Sequence, residues 1–405
     1  MRVTQAVLYR NVASSLQAQY QELSKIQEQS TSGNRLTTPS DDPTAYYRHI
    51  LFSSDLSNVD TLKKTTGMAS DRFTMAEQSI QTIHDKFQDA QDLIIQMGSS
   101  NNAGIPQVMK ATGQQIHAMY QDVMSYANTE MDGVPLFGGG KTRVPFNANV
   151  VETTGVKLRS GGQGGFTDVA GTDFAAQLTG TPAAVPMSVK VTYKTTDAKG
   201  VALATPVYSV NVDGADSPDI PATGAGQKIN VAAGVTLSVN TANPPKGGDA
   251  FYFEVVPAYQ GGEKDRQVKV SDTNAIDGNV TGAQLINGRS SLGRGVNLLA
   301  TLTALRGAFM RADISEVNSL LGRTQEARAQ ASDMQAVTGI RGAQVQAINA
   351  TLTDDSNSLT EAKAKNTSVD AFDVMSRLSQ TTQALQVTLS TEQQVLNTSL
   401  LNFLK

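Results

Sequence analysis

The stretch SGNRLTTPSDDP, Ser32 to Pro43, separates two long helical patterns near the start of the 405-residue chain. Pro43 suits the first turn of a helix, because its fixed φ angle matches the helix and its missing N–H would have no partner there. Ser40 or Asp42 can cap the free amides of that turn, and acidic side chains favour the positive end of the helix dipole. The Asp41–Asp42 pair could instead serve acid–base catalysis, but no histidine or further acid lies nearby at a workable spacing. We therefore expect the stretch to start a helix.

An apolar seam at alternating three- and four-residue spacing follows this stretch and predicts a long, coiled-coil-like helix. The segment GSSNNAG, Gly98 to Gly104, ends that helix, and Pro106 suits the first turn of a second helix that folds back on it. The second helix continues the spacing up to Tyr126. The two seams consist of Val59, Leu62, Thr66, Ala69, Phe73, Ala76, Ile80, Ile83, Phe87, Ala90, Ile94 and Met97, then of Met109, Thr112, Ile116, Met119, Val123 and Tyr126.

Residues 141–285 have a different composition from the helical parts on either side. They hold nine of the 13 prolines and only one of the 12 methionines. Four runs alternate apolar and polar residues at period two, and each is bounded by Gly, Pro, Asn or Asp, which predicts short strands. The four runs are SVKVTY, VYSVNV, GVTLSVN and AFYFEV.

The expected fold is therefore mainly α with a β-rich insert. Long coiled-coil-like helices from both chain ends form a helical bundle, and the insert forms a small β sandwich or barrel-like outer domain. Residues 296–360 are read as further helix. We expect three domains: a terminal assembly domain of residues 1–40 with 370–405, a helical bundle of residues 41–140 with 286–369, and the variable outer domain of residues 141–285.

The composition excludes several classes of function. A formal net charge of −4 gives no basic surface for nucleic acid, and the absence of cysteine excludes disulfides and thiolate metal sites. The three histidines lie far apart and form no zinc motif, and the insert contains none of them. We therefore expect no enzyme, no catalytic residue, no cofactor and no metal. Without an apolar span or a signal peptide, these rules alone would place the protein in the cytoplasm without membrane insertion.

The two chain ends carry narrow amphipathic seams that are too poor in apolar residues to fold alone. Ordering a residue costs about 1–2 kcal/mol of backbone entropy, which one stripe interrupted by polar residues such as Gln19 hardly offsets. Two such stripes can pair, and the apolar side chains still exposed can be buried between many copies of the chain. We therefore expect an assembly interface at the two chain ends, which are loose in the free chain and become ordered on assembly. Its expected residues are Leu16, Leu23, Ile26, Leu378, Leu385, Leu389, Leu396, Leu400 and Phe403.

Several segments of the chain resemble those of a known family. SGNRLTTPSDDP resembles the signature at the end of the first helix of flagellins and their relatives, and the order of helical ends around a variable β insert also matches. Within this superfamily, four features are similar to the hook–filament junction branch. They are the opening MRVTQAVLYRN, the prolines Pro39 and Pro43, the segment NTEMDGVPLFGGG and the C-terminal TLSTEQQVLNTSLLNFLK.

The resemblance implies a structural adaptor that self-associates in a layer between hook-associated protein 1 and flagellin. It also implies export through the flagellar type III apparatus without a cleaved signal, with a chaperone covering the C-terminal helix beforehand. This location outside the cell replaces the cytoplasmic expectation. Arg35 and Leu36 would lie in the bend between the terminal coil and the outer helices, and Gly33 would supply a conformation that other residues resist.

Two alternatives to the junction adaptor stay open. A divergent flagellin would occur along the whole filament, and a surface-exposed binding module would use the β insert to recognise a glycan or host ligand. Leu396→Asp should block incorporation without unfolding the central domains if the chain is an assembly protein.

Overall fold

The structure, a computed structural model, describes residues 5–99, 105–162, 165–171, 173–182, 184–240, 245–271, 273–289 and 295–403. Helices occupy both ends of the chain, and strands occupy its middle, as predicted. The helices are α1 (Gln5–Ser32), α2 (Pro43–Ser99), α3 (Pro106–Ala127), α4 (Gly282–Leu285), α5 (Leu298–Met310), α6 (Ile314–Ser319), α7 (Leu321–Thr367) and α8 (Ala371–Phe403).

Most of the strands fall inside the predicted insert. The first two form a short hairpin before it, and the others run from Phe146 to Asp277. The strands are β1 (Glu130–Met131), β2 (Val134–Pro135), β3 (Phe146–Thr153), β4 (Lys157–Arg159), β5 (Thr167–Asp168), β6 (Phe174–Leu178), β7 (Met187–Thr196), β8 (Ala202–Val212), β9 (Ala215–Asp216), β10 (Ile220–Pro221), β11 (Gln227–Ala232), β12 (Val235–Val239), β13 (Ala250–Tyr259), β14 (Gln267–Lys269) and β15 (Ala275–Asp277).

The chain forms two compact units. The first consists of Met1–Lys64 and Asn349–Lys405, and the second of Thr65–Ile348. The second unit thus contains both the β insert and the helices that flank it. The division into three domains stays a prediction.

The helical core of the second unit follows the seam read from the sequence. Every seam residue of α2 from Thr66 to Met97 is buried. On α3 the seam is wrong at Tyr126, which is exposed, whereas Tyr120 and Ala127 are buried. The reason is that 3.6 residues per turn drift away from a strict seven-residue repeat over successive turns.

The insert consists of open antiparallel sheets. The larger sheet has the strand order β10-β8-β7-β13-β4-β5, with β3 also on β13 and β9 on β8, and a second sheet has the order β11-β12-β6. Apolar side chains from both sheets share one core, so a sandwich describes them. The expectation of a barrel is wrong, because the described strands of the larger sheet end in the edge strands β10 and β5 rather than closing on each other.

β13 is buried on both faces, although its alternation predicted one buried face. Phe251, Phe253 and Val255 contribute to the core between the two sheets. The opposite face is covered by helices, since α5 packs on β13 and β7. Glu254 on that face is buried and pairs with Arg323 of α7. The alternation of β13 predicts that these polar side chains face solvent. They are buried instead, because a helix covers this face and an ion pair neutralises the buried charge.

We predict that Gly214→Ala destabilises the second unit more than Gly226→Ala does. Both glycines have similar positive φ angles, 84° and 83°, so alanine costs about 1–2 kcal/mol of backbone strain at either position. At Gly214 the new Cβ would also lie 2.5 Å from the carbonyl oxygen of Met310, which adds about 1–3 kcal/mol. At Gly226 no atom lies within 4 Å. Urea unfolding of the two variants measures the difference, and equal midpoints would contradict the packing of this turn on α5.

Candidate assembly interface

The helices from the opposite chain ends, α1 and α8, lie side by side in the first unit. They are antiparallel, since Gly33 after α1 lies beside Val369 before α8, whereas Gln19 lies beside Thr388. Gln19 Nε2 donates to Thr388 Oγ1 at 2.9 Å. The polar residue that interrupts the predicted apolar seam thus provides a specific hydrogen bond between the two helices.

The predicted interface residues are buried to very different extents. Ile26 on α1 is 1% exposed and Leu385 on α8 is 9% exposed. Leu16, Leu23 and Leu378 are half-buried. The side chains of Leu396, Leu400 and Phe403 lie outside the described residues. The described part of the helix pair therefore buries only some of its seam.

A considerable apolar surface stays uncovered on α8. Phe372 is 85% exposed, Met375 61% and Leu389 38%. Tyr20 on α1 is exposed as well. Single exposed apolar side chains are normal, but several on one helix pair are typical of a surface that another chain covers.

The two breaks between long helices are joined to each other by their backbones. The Arg35 amide donates to the Thr367 carbonyl at 2.7 Å, and the Val369 amide donates to the Gly33 carbonyl at 3.1 Å. Asn34 and Ser368 form an antiparallel bridge between them. Gly33 has a φ angle of 70°, in the region that glycine adopts most readily. We call residues 33–42 together with 366–370 the clasp.

The Asp41 carboxylate organises the first half of the clasp. Its Oδ2 accepts hydrogen bonds from the amides of Thr37 and Thr38 at 3.0 and 2.9 Å, and its Oδ1 lies 2.7 Å from Lys25 Nζ on α1. Asp41 therefore fixes the turn to the helix that precedes it. Leu36, one residue before this network, is half-buried.

Asp42 occupies the cap position of α2. Its Oδ1 accepts a hydrogen bond from the Ala45 amide at 3.0 Å, and Pro43 is the first helical residue. Ser40, the other candidate cap, instead places its hydroxyl 3.0 Å from that of Thr38. Arg35 lies 3.5 Å from the Asp42 carboxylate, so Asp42 also holds the bend.

These contacts stabilise the charged form of both carboxylates. The hydrogen bond from Lys25, followed by those from Thr38 and Thr37, holds the pKa of Asp41 well below its ordinary value. The Ala45 amide lowers the pKa of Asp42, and Arg35 adds to this effect. Both groups therefore act as fixed anions at neutral pH. A carboxylate with a depressed pKa is a poor general base, and this fits the structural interpretation of the acid pair.

Sequence reasoning missed the partners that complete the clasp. Gln29 is buried, and its Nε2 donates to the Arg35 carbonyl at 2.8 Å. Asn366 donates from Nδ2 to the Ala45 carbonyl at 2.7 Å. Lys25 lies sixteen positions before its partner Asp41. Gln29 lies three residues after the buried Ile26, on the same side of the helix. This spacing was the one feature of the sequence that could have indicated that Gln29 is buried.

We predict that the clasp weakens in acid. Because the pKa of Asp41 is lower in the folded than in the unfolded chain, its stabilisation is complete above about pH 4 and is lost as pH falls through the folded pKa. Hydrogen exchange of the Thr37 and Thr38 amides, corrected for intrinsic rates, should show less protection below pH 4. Lys25→Gln should move this loss to higher pH, whereas Lys365→Gln, which removes an exposed ion pair with Glu361, should not. An unchanged profile in Lys25→Gln would contradict the assignment.

The described residues contain no cluster of three or more His, Cys, Asp or Glu side chains that could hold a metal ion. None of their helices has the length and apolar character needed to cross a bilayer.

Comparison with known sequences gives a family match at the N-terminal end. Residues 3–142 match the model of the bacterial flagellin N-terminal helical region. The flagellar hook-associated protein 3 of Salmonella typhimurium is 28% identical over 149 residues, which cover 36% of this chain and 46% of that relative. The match therefore spans about half the length of the curated relative.

Two solved structures of flagellar hook-associated proteins also match this chain, both with low scores. A flagellar hook-associated protein of Vibrio parahaemolyticus matches with a TM-score of 0.48 and 12% identity, over 81% of this chain and all of that one. Hook-associated protein 3 of Legionella pneumophila matches with a TM-score of 0.35 and 17% identity, over 78% of this chain and 98% of that one. TM-scores this low carry no weight for the function of this chain. Residues 3–142 match the bacterial flagellin N-terminal helical region, which confirms the predicted resemblance to the flagellin superfamily over these residues.

Proposed function

We propose that the protein is a non-enzymatic structural adaptor of the bacterial flagellum, assembled as a layer at the hook–filament junction. The observation that carries the proposal is the antiparallel pairing of α1 with α8 in a chain that begins with a flagellin-type helical region. The name of the Salmonella relative, a hook-associated protein, favours the junction over the filament.

Assembly would proceed through the surface that the helix pair leaves uncovered. Leu389 and Phe372 are exposed in the single chain, and their burial against neighbouring copies would yield about 25 cal/mol per Å². The clasp would present α1 and α8 to those neighbours in one register, because it joins the two chain ends at residues 33–35 and 367–369.

The partners follow from the proposed position. One side of the layer would contact hook-associated protein 1, the other side would contact flagellin, and copies of the chain would contact each other laterally. The protein would act outside the cell after export through the flagellar apparatus. An export chaperone would cover the exposed apolar side chains of α8 before assembly.

The test is electron microscopy of a deletion strain, with flagellin assayed in the culture medium. We expect bare hooks and flagellin released as monomer, and we expect filaments to return when the full chain is supplied from a plasmid. Intact filaments in the deletion strain would overturn the junction role and favour a minor flagellin. Loss of hooks as well would overturn it in favour of an earlier role in export.

We further predict that Leu389→Asp prevents incorporation, because a charge on the predicted seam cannot be buried between copies. Val387→Asp is the matched control, since Val387 is apolar and still more exposed, but lies off the seam. The measurement is the amount of each variant secreted and the amount retained in sheared, washed hook–filament preparations. Both variants should be secreted, and only Leu389→Asp should be missing from the preparations. Equal retention would contradict the seam as the interface.

A further inference from the structure

Arg306 on α5 connects three elements of the second unit. Its Nη2 donates to the Pro186 carbonyl at 3.1 Å, just before β7, and lies 2.5 Å from the Asp213 carboxylate in the turn between β8 and β9. Its Nη1 lies 3.2 Å from His117 Nδ1 on α3. Arg306 is largely buried, so a single guanidinium ties α3 and α5 to the β insert.

The contact between Arg306 and His117 requires one protonation state. A guanidinium carries only donors, so His117 Nδ1 must accept the hydrogen bond and the imidazole must be neutral with its proton on Nε2. That Nε2 lies 3.3 Å from the side-chain amide of Gln121, which can turn its oxygen toward the ring. The ring also stacks on Tyr120 at an interplanar angle of 7°.

We infer that His117 is an acid-sensitive connection between α3 and the β insert. When the imidazole takes up a proton, Nδ1 becomes a donor that faces the donors of Arg306, and two positive charges stand side by side. Arg306 keeps its contacts with Asp213 and the Pro186 carbonyl, so the contact that breaks is the one to α3. Acid thus breaks the contact of α3 with Arg306, while the contacts of Arg306 with the β insert remain.

The charged surroundings of His117 agree with this direction. Burial, then the charge of Arg306, lower the pKa of His117, and the charge of Asp213 opposes them. On the side of α3 that faces α2, Asp122 is paired with Lys86 at 2.8 Å. Because the folded chain binds this proton more weakly than the unfolded chain, stability is greatest above the unfolded pKa near 6.5 and declines as pH falls through the folded value.

The test uses the full chain and its three histidines. The 13Cε1–H signals of His49, His84 and His117 are titrated by NMR and assigned with single His→Asn variants. We expect His117 to titrate below pH 6.5. Titration of His117 at or above 6.5 would overturn the inference.

A second measurement tests whether protonation of His117 loosens α3. It is the protection of the α3 amides against hydrogen exchange, corrected for intrinsic rates. In the wild type, protection should fall between the unfolded pKa near 6.5 and the lower folded pKa of His117, by at most about tenfold per pH unit, and then level off. His117→Asn keeps an acceptor for Arg306 but cannot titrate, so its protection should stay level between pH 7.5 and 5. His84→Asn is the control and should keep the wild-type profile. The same acid-dependent loss in His117→Asn would overturn the inference, as would a level profile in the wild type.

Discussion

Antiparallel pairing of α1 with α8 is the constraint on which the first unit depends. Each helix buries few side chains, and backbone ordering costs about 1–2 kcal/mol per residue, so neither stripe is sufficient alone. The clasp changes this balance, because hydrogen bonds between residues 33–35 and 367–369 hold the facing ends of α1 and α8 together. Pairing then resembles closing a hairpin whose turn already exists, rather than bringing together two distant segments.

Polar residues in this unit define register more than they add stability. The ion pair between Arg377 and Glu22 is more than two-fifths exposed on both sides, and exposed pairs contribute about 0–1 kcal/mol. Together with the hydrogen bond between Gln19 and Thr388, however, it permits one alignment of α1 on α8. A helix pair with a continuous leucine seam would be tighter but free to slide, and a subunit that must present a fixed surface to its neighbours cannot slide.

The sequence predicted those features that depend on local periodicity. The α2 seam from Thr66 to Met97, the start of α2 at Pro43 and the four main strand runs all follow from spacing and turn residues. Long-range partners could not be predicted, because nothing in the sequence places Lys25 beside Asp41 or Asn366 beside Ala45. The second buried face of β13 was missed for the same reason, since its cover, α5, lies some forty residues away.

The insert is more closely built into its unit than a variable outer domain suggests. Phe146, Val256 and Val280 belong to the same apolar core as the flanking helices. Beneath the sheet, Arg311 and Glu316 form a fully buried pair, and Lys190 of β7 lies 3.5 Å from the same carboxylate. Removing one partner of such a pair leaves an uncompensated buried charge, at a cost of about 3–5 kcal/mol, whereas replacing both partners together is often neutral. The exposed face of the insert can therefore vary freely, but the face toward the helices can change only by coordinated substitutions.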